Sequence, residues 1–264
     1  MRQLIRKCKK TIMNRIESFR LKQIMGLIDA SWDTQKITFF IYDCMVTKKY
    51  GKSLDKHTFV MSSKCLNELL HAFNSARPVS IDHATNPKYL ASKLSQESFL
   101  QLNKNNVYRN SQALISAVND FCQEYLEVLS SVTKSPFRII NIRAWETKTT
   151  ATEFGPTKYH KDGFLEGHMK IMLYLSELSE DGGSIQFLNE EPIEAPAGLV
   201  LVFKNSDLTH RAIPGKAKDR KLIELTLQKC LVPAPWKITT GELNDRHHLA
   251  PWLYQYEKLE DNYL

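Results

Sequence analysis

Long apolar runs, paired cysteines and secretory features are all absent from this sequence of 264 residues. No stretch of about eighteen apolar residues occurs, so no membrane-spanning helix is predicted. The basic N-terminus lacks the long apolar segment and the small-residue cleavage site that a secretory signal requires. The five cysteines are scattered, odd in number and without a Cys-x-x-Cys pair, so we expect free thiols in the reducing cytoplasm.

Two common catalytic motifs are missing and a third is incomplete. No Gly-x-Gly-x-x-Gly is present to bind a dinucleotide, and no Gly-x-Ser-x-Gly elbow is present for acyl transfer. The triplet Gly51-Lys52-Ser53 resembles the end of a P-loop, but Val46 stands where the first glycine of that motif belongs. The sequence therefore predicts no phosphate-binding loop.

The net charge of +7 is concentrated in residues 1–30, which carry eight basic residues and two acidic ones. Because the rest of the chain is nearly neutral, no nucleic-acid-binding face is expected. Residues 1–30 are predicted to form an amphipathic helix, since apolar residues recur at steps of three and four: Ile5, Cys8, Ile12, Ile16 and Phe19. Such a helix most often covers a domain core. The alternative is a peripheral contact with an anionic membrane or a partner.

The N-terminal half beyond residue 30 is predicted to be mainly helical. Apolar stripes at helical spacing predict helices over Ser63–Ala76 and Ser111–Leu129, and another helix is expected to begin near Tyr89. Aromatic and β-branched residues cluster in Ile37–Tyr42 and predict a short strand there. Residues of about 60–132 are therefore expected to supply helical support.

After Pro136 the pattern changes to short strands separated by Gly, Pro, Asn and Asp. The predicted strands are Phe137–Trp145, Met169–Leu175, Ser184–Leu188, Leu199–Lys204 and Leu222–Lys229. This spacing predicts an α+β protein with a sandwich or jelly-roll core over about 137–230 and helices packed on one sheet. Residues 31–264 are expected to form one catalytic domain, with a C-terminal extension over 231–264.

The residues that point to chemistry are two histidines, a carboxylate and an arginine. His160 and Asp162 are two residues apart, so in an extended segment their side chains point to the same side. His210 follows about fifty residues later, and Arg220 lies ten residues beyond it. Two His and one carboxylate on one face suit a non-haem Fe(II) oxygenase, because the remaining positions on the metal stay open.

Several further motifs lie in a recognisable order around these residues. Tyr174-Leu175 ends one strand, Gly182-Gly183 forms a turn before the next, and Pro196 and Gly198 precede an apolar strand. In this order and spacing, residues of about 137–229 resemble the Fe(II)- and 2-oxoglutarate-dependent dioxygenases, most closely their prolyl-hydroxylase-like branch. The segment Tyr159–Gly163 is also similar to the start of the motif in the phytanoyl-CoA-hydroxylase-like branch, which is the second choice.

The resemblance implies a double-stranded β-helix (jelly roll) and a role for each residue. His160, Asp162 and His210 would hold the iron. Arg220 would pair with the distal carboxylate of 2-oxoglutarate, and Tyr174 would donate its hydroxyl to the same group. The implied reaction uses dioxygen, with ascorbate as a possible accessory reductant. It hydroxylates an unactivated C–H bond of a peptide or protein side chain or of a small molecule, and it releases succinate and CO2. Because Asp162 is present, hydroxylation is favoured over halogenation.

Other polar residues leave alternatives open. Lys221 is the alternative to Arg220, although adjacent strand residues face opposite ways. Asn141, Arg143 and Trp145 share one strand face and either line a pocket or form a polar outer face. His168 and Lys170 are expected at the surface more often than at a substrate. Asp82-His83 and Arg246-His247-His248 have no partner at metal spacing and are expected at the surface.

Two other functions fit the same residues. A non-catalytic, cupin-like binding or sensing module would keep the jelly roll without turnover. A zinc-dependent hydrolase would use the same three ligands, with Arg220 holding an anionic substrate.

Overall fold

The computed structural model describes residues 32–76, 78–79, 105–108, 112–147, 149, 157–162 and 166–231. Its helices are α1 (Trp32–Tyr50), α2 (Ser63–Ser75), α3 (Gln112–Glu124) and α4 (Leu126–Thr133). Its strands are β1 (Lys56–Val60), β2 (Pro78–Val79), β3 (Asn105–Tyr108), β4 (Phe137–Thr147), β5 (His168–Tyr174), β6 (Ser184–Phe187), β7 (Leu199–Phe203), β8 (His210–Ile213) and β9 (Arg220–Lys229).

Some predictions lie outside the described residues. These are the basic helix of residues 1–30, the helix near Tyr89, the histidines of Asp82-His83 and Arg246-His247-His248, and all but the first residue of the extension 231–264. No helix among the described residues is long and apolar enough to span a membrane. The four described cysteines are free thiols: Cys44, Cys65, Cys122 and Cys230.

The strands form two antiparallel sheets. The larger sheet has seven strands in the order β1-β7-β5-β9-β4-β3-β2, and the smaller one pairs β6 with β8. The molecule is thus a mixed helix and antiparallel-sheet fold. Three strands of the large sheet, β1 to β3, come from the N-terminal half, which the sequence predicted to be mainly helical.

The large sheet separates two apolar clusters. On one face, alternate residues of β5 and β9 such as Ile171 and Leu225 pack against α2 and α3. On the other face, Met172, Tyr174 and Leu222 pack with residues of β6. Because both faces of β5 are covered, the strand is buried along its whole length. The inner face, between the sheets, is where polar side chains of β5 and β9 meet the functional site.

The predicted strand Ile37–Tyr42 is wrong, because these residues lie within α1. Phe39 and Tyr42 are buried, while Ile37 is largely exposed. Local β-propensity is a weak constraint, and here tertiary contacts override it. Tyr42 Oη accepts a hydrogen bond from the Leu231 N–H at 3.0 Å, which fastens α1 to the chain just beyond β9.

The other predicted elements are present with shifted ends. The helix predicted over Ser111–Leu129 is two helices that meet at Tyr125. The five strands predicted after Pro136 all occur, and the short strands β1, β2, β3 and β8 are additional. These four strands are two to five residues long, so their sequences carry little periodic signal.

The Gly182-Gly183 turn leads into β6 in a crowded place. Gly183 has a φ of 78°, a conformation that favours glycine. A Cβ on Gly183 would lie 2.7 Å from the backbone N of Gly215 and from the carbonyl oxygen of Ile213. The turn therefore needs glycine both for its backbone angle and for space.

We expect Gly183→Ala to lower the free energy of unfolding much more than Gly51→Ala. Gly51 also has a positive φ, of 94°, but an added Cβ there meets nothing within 4 Å. The control therefore carries only the backbone penalty of about 1–2 kcal/mol, whereas Gly183→Ala adds overpacking of roughly 1–3 kcal/mol. Chemical denaturation of both variants measures the difference. Equal losses would contradict the close packing of this turn.

Candidate metal centre and co-substrate pocket

Two backbone hydrogen bonds bring the distant histidines together. The His160 N–H donates to the His210 carbonyl, and the His210 N–H donates to the His160 carbonyl, each at 2.9 Å. The Asp162 N–H donates to the Asn205 carbonyl at 3.0 Å. This antiparallel pairing places the two imidazoles side by side, with ring centroids 4.6 Å apart.

The three side chains predicted as metal ligands meet in one cluster. His160, Asp162 and His210 each offer one ligand atom, and these atoms all lie within 4.8 Å of one another. The Nε2 atom of His160 is 3.6 Å from Oδ1 of Asp162, and the Nε2 atom of His210 is 3.7 Å from its Oδ2. Within the described residues this is the one cluster of at least three His, Cys, Asp or Glu side chains that could hold a metal ion.

Backbone carbonyls set the orientation of both imidazoles. Nδ1 of His160 lies 2.8 Å from the Lys158 carbonyl, and Nδ1 of His210 lies 2.9 Å from the Leu208 carbonyl. A carbonyl can only accept, so each Nδ1 carries a proton, and in the neutral imidazole each Nε2 keeps its lone pair. This is the arrangement in which protein histidines bind metals.

The surroundings favour the metal-binding protonation states of His210 and Asp162, but not that of His160. Burial lowers the pKa of His210, whose ring packs against Phe203 at 5.0 Å between centroids. Burial alone would raise the pKa of Asp162, but the neighbouring His160 imidazole and the Lys170 charge hold that pKa below its usual range. The neighbouring Asp162 carboxylate raises the pKa of His160, so a metal ion would compete with a proton for its Nε2. A carboxylate and a neutral imidazole are the forms that coordinate a cation.

Arg220 and Tyr174 lie on the inner face of the large sheet with unused hydrogen-bonding capacity. The Arg220 guanidinium donates to the Ser184 carbonyl and lies 3.4 Å from Thr147 Oγ1. Within the described part of the chain, Arg220 Nε and the Tyr174 hydroxyl have no hydrogen-bond partner, although both are buried. Burial raises the pKa of Tyr174 to about 12, so its hydroxyl remains a donor.

Lys221, the alternative to Arg220, points to the opposite side of β9. Its Nζ lies 3.3 Å from Oδ1 of Asn74 and 5.8 Å from the centre of the Phe73 ring, both on α2. Arg220 is 4% exposed and faces the smaller sheet. The alternation of strand side chains predicted this division.

The expectation that His168 and Lys170 lie at the surface is wrong. Both are buried, because they alternate with core residues on a strand that is covered on both faces. The Lys170 ammonium lies 2.6 Å from Oδ2 of Asp162 and 3.4 Å from Oε2 of Glu224. The His168 ring meets Phe39 of α1 edge-on at 5.2 Å.

Glu224 is a residue that sequence reasoning missed. Its side chain is 1% exposed, and Nη1 of Arg143 lies 4.0 Å from its Oε1. Trp145 packs against the cluster between the sheets, so Arg143 and Trp145 face inward, while the side chain of Asn141 lies outside the description. The available signal was an acid flanked by Ile223 and Leu225 in an apolar strand, since carboxylates are rarely buried without a partner.

No family model and no curated protein matches the sequence. Among solved structures, the chain is similar to HygX from Streptomyces hygroscopicus with nickel, 2-oxoglutarate and hygromycin B bound, at 13% identity over 75% of this chain and 88% of that chain, with a TM-score of 0.47. It is also similar to the non-heme alpha-ketoglutarate-dependent epimerase SnoN from nogalamycin biosynthesis, at 9% identity over 73% and 81% of the two chains, with a TM-score of 0.49.

A third similar structure is a prolyl-4-hydroxylase of Pseudomonas putida, at 12% identity over 72% of this chain and 100% of that chain, with a TM-score of 0.45. These structures are of the class that the sequence motifs resemble, and others of HygX hold nickel with 2-oxoglutarate or iron. Since these TM-scores lie below 0.5 and the identities near 10%, the function proposed below rests on the residues of the site.

We expect Tyr174→Phe and Tyr125→Phe to change stability in opposite directions. Tyr174→Phe removes a buried hydroxyl that has no partner, so without metal or 2-oxoglutarate the free energy of unfolding should rise by about 1 kcal/mol. The Tyr125 hydroxyl accepts a hydrogen bond from the Ser62 N–H at 2.6 Å, so Tyr125→Phe should lower it by about 1 kcal/mol. Chemical denaturation measures both. A loss of stability in Tyr174→Phe would show that its hydroxyl is already paired.

Proposed function

We propose that this protein is an Fe(II)- and 2-oxoglutarate-dependent dioxygenase that hydroxylates an unactivated C–H bond. The observation that carries the proposal is the cluster of His160, Asp162 and His210, whose ligand atoms lie within 4.8 Å of one another. Arg220 and Tyr174 add unpaired, buried donors on the inner face of the same sheet. The two facing sheets support a jelly-roll core, and we place this core within one proposed catalytic domain over 31–264.

The donor set suits a ferrous ion. Two imidazole nitrogens and one carboxylate oxygen leave the other positions of an octahedron free for a keto acid and dioxygen. When bound, the iron centre would supply the chemistry by which dioxygen oxidises 2-oxoglutarate to succinate and CO2. One oxygen atom of dioxygen would enter succinate and the other would enter the substrate. Asp162 as a third protein ligand supports hydroxylation over halogenation.

Arg220 and Tyr174 suit the far carboxylate of 2-oxoglutarate. Tyr174 lies opposite Leu222 in the β5–β9 pairing, so Arg220, two residues earlier, is a diagonal neighbour on the same face. A charged donor and a neutral donor, both buried and with open hydrogen-bonding capacity, would bind a carboxylate strongly because water is excluded there. Their role would be to orient the co-substrate, with its keto acid directed towards the triad.

The exposure of the triad indicates the side from which a substrate approaches. The His160 side chain is 30% exposed and that of His210 only 6%, whereas Arg220 and Tyr174 are buried. We infer that the co-substrate lies inward and that a peptide side chain or a small molecule reaches the site past His160. We also propose that the protein is cytoplasmic and that ascorbate can serve as an accessory reductant. Residues 1–30 would cover the domain core or, as the alternative, contact an anionic membrane or a partner.

The first test is succinate formation from 2-oxoglutarate by purified protein with Fe(II), ascorbate and dioxygen. We expect slow turnover even without substrate. Asp162→Ala and His210→Ala should lower it by more than about 100-fold, since changes outside the ligand shell already cost 10–100-fold. Lys161→Ala, an exposed residue between two ligands, is the matched control and should keep near wild-type turnover.

The same experiment separates the other candidate functions. Metal binding with no succinate, with or without candidate peptides and metabolites, would overturn the proposal in favour of a non-catalytic binding module. Hydrolysis that depends on zinc and on the same three residues would favour a zinc hydrolase.

The second test concerns the co-substrate. We expect Arg220→Lys to raise the KM for 2-oxoglutarate by roughly 10- to 100-fold, because a point charge replaces a planar fork of donors. Metal affinity should stay unchanged, as measured by titration. Lys221→Met removes the neighbouring cation on the opposite face and should leave this KM unchanged. An equal rise of this KM in both variants would point to a general disturbance of β9 and would contradict a direct contact of Arg220 with 2-oxoglutarate.

A further inference from the structure

Lys170 is a buried cation in direct contact with a proposed metal ligand. Its side chain is 9% exposed, and its Nζ lies 2.6 Å from Oδ2 of Asp162. A lysine in this position is unexpected beside a cation site, because its positive charge opposes the binding of a metal ion. A lysine that weakens metal binding at this position is expected to have another role in the site.

Glu224 holds Lys170 in place. Glu224 lies on β9 opposite Met172, so it is a diagonal neighbour of Lys170 across the β5–β9 pair. Its Oε2 lies 3.4 Å from the Lys170 ammonium, and its side chain is 1% exposed. Both residues are on central strands of the large sheet. Separating them would leave a buried charge without a partner, which is strongly unfavourable. The ammonium is thus fixed on a rigid support.

The contact with Lys170 engages only one of the two Asp162 oxygens. Oδ2 meets the ammonium and lies 3.7 Å from Nε2 of His210, while Oδ1 lies 3.6 Å from Nε2 of His160 and has no contact with Lys170. A carboxylate can bind a metal through one oxygen or through both, and the second mode occupies one more coordination position. An oxygenase of the proposed kind needs three open positions, two for the keto acid and one for dioxygen.

We propose that Lys170 is a positioning residue that keeps Asp162 a one-oxygen metal ligand. This inference rests on the proposed function, because it concerns the same three ligands. By holding Oδ2, the ammonium leaves Oδ1 for the metal and preserves the position that 2-oxoglutarate requires. The positive charge of Lys170 lowers the metal affinity of the site but leaves one coordination position open. The negative charge of Glu224 reduces this loss of affinity.

Lys170→Met tests this directly, with Co(II) as the probe metal. Removing a nearby positive charge and freeing Oδ2 should tighten Co(II) binding by about tenfold or more. The same variant should bind 2-oxoglutarate at least about tenfold more weakly in its Co(II) form, since a second Asp162 oxygen competes for the metal. Visible absorption of Co(II), which reports the coordination number, should differ from that of the wild type. Lys170→Arg keeps the charge and should restore the wild-type pattern.

A second buried lysine provides the control for stability. Lys229 is 3% exposed and its Nζ lies 2.7 Å from Oδ1 of Asp43 on α1. Lys229→Met should destabilise the fold in the same way without changing Co(II) affinity. If Lys170→Met does not fold, Lys170→Met with Glu224→Gln removes the unpaired carboxylate and should still bind Co(II) more tightly than the wild type.

The outcomes distinguish this inference from the proposed function. Co(II) binding by Lys170→Met, alone or with Glu224→Gln, that is equal to or weaker than that of the wild type would overturn this inference, as would the same tightening in Lys229→Met. Tighter Co(II) binding in Lys170→Met, in a protein whose wild type forms no succinate, would support the role of Lys170 at a metal site and reject the oxygenase. A wild type that binds no divalent metal would overturn both.

Discussion

The reciprocal backbone hydrogen bonds between His160 and His210 are the constraint on which the site depends. These bonds join two segments that are fifty residues apart in the chain and fix the spacing of the two imidazoles. The carbonyls that hold both Nδ1 atoms then direct both Nε2 atoms to the same point. Asp162 reaches that point because it is two residues from His160 on the same extended segment. The cluster therefore follows from backbone pairing more than from side-chain packing.

The alternation of side chains along β5 and β9 gives these strands two roles. Residues such as Ile171 and Leu225 face the helices and build the larger apolar core. The residues between them face the smaller sheet and include Tyr174, Lys170 and Arg220. Residues that build the core and residues of the proposed site therefore alternate along the same strands, because successive strand side chains point to opposite faces.

The inner face carries more buried polar groups than stability alone would favour. Arg220 Nε and the Tyr174 hydroxyl have no partner among the described residues, and each such group costs about 1–3 kcal/mol. Lys170 and Glu224 are paired but buried, and a buried pair is often no more stable than apolar residues of the same size. Groups that weaken a fold in this way are expected where a ligand uses them, which is the physical basis for proposing a metal and co-substrate site on this face.

Sequence by itself determined five of the six described strands after Pro136, helical structure over Ser63–Ala76 and Ser111–Leu129, and the candidate ligands His160, Asp162 and His210, because periodicity and short spacing are local properties. It could not determine that Ile37–Tyr42 is helical, since the contacts of α1 with the chain beyond β9 override local propensity. Only the tertiary structure revealed that the Lys170 ammonium contacts both Asp162 and Glu224. Burial and cross-strand neighbours arise when the sheets assemble, and no run of adjacent residues contains them.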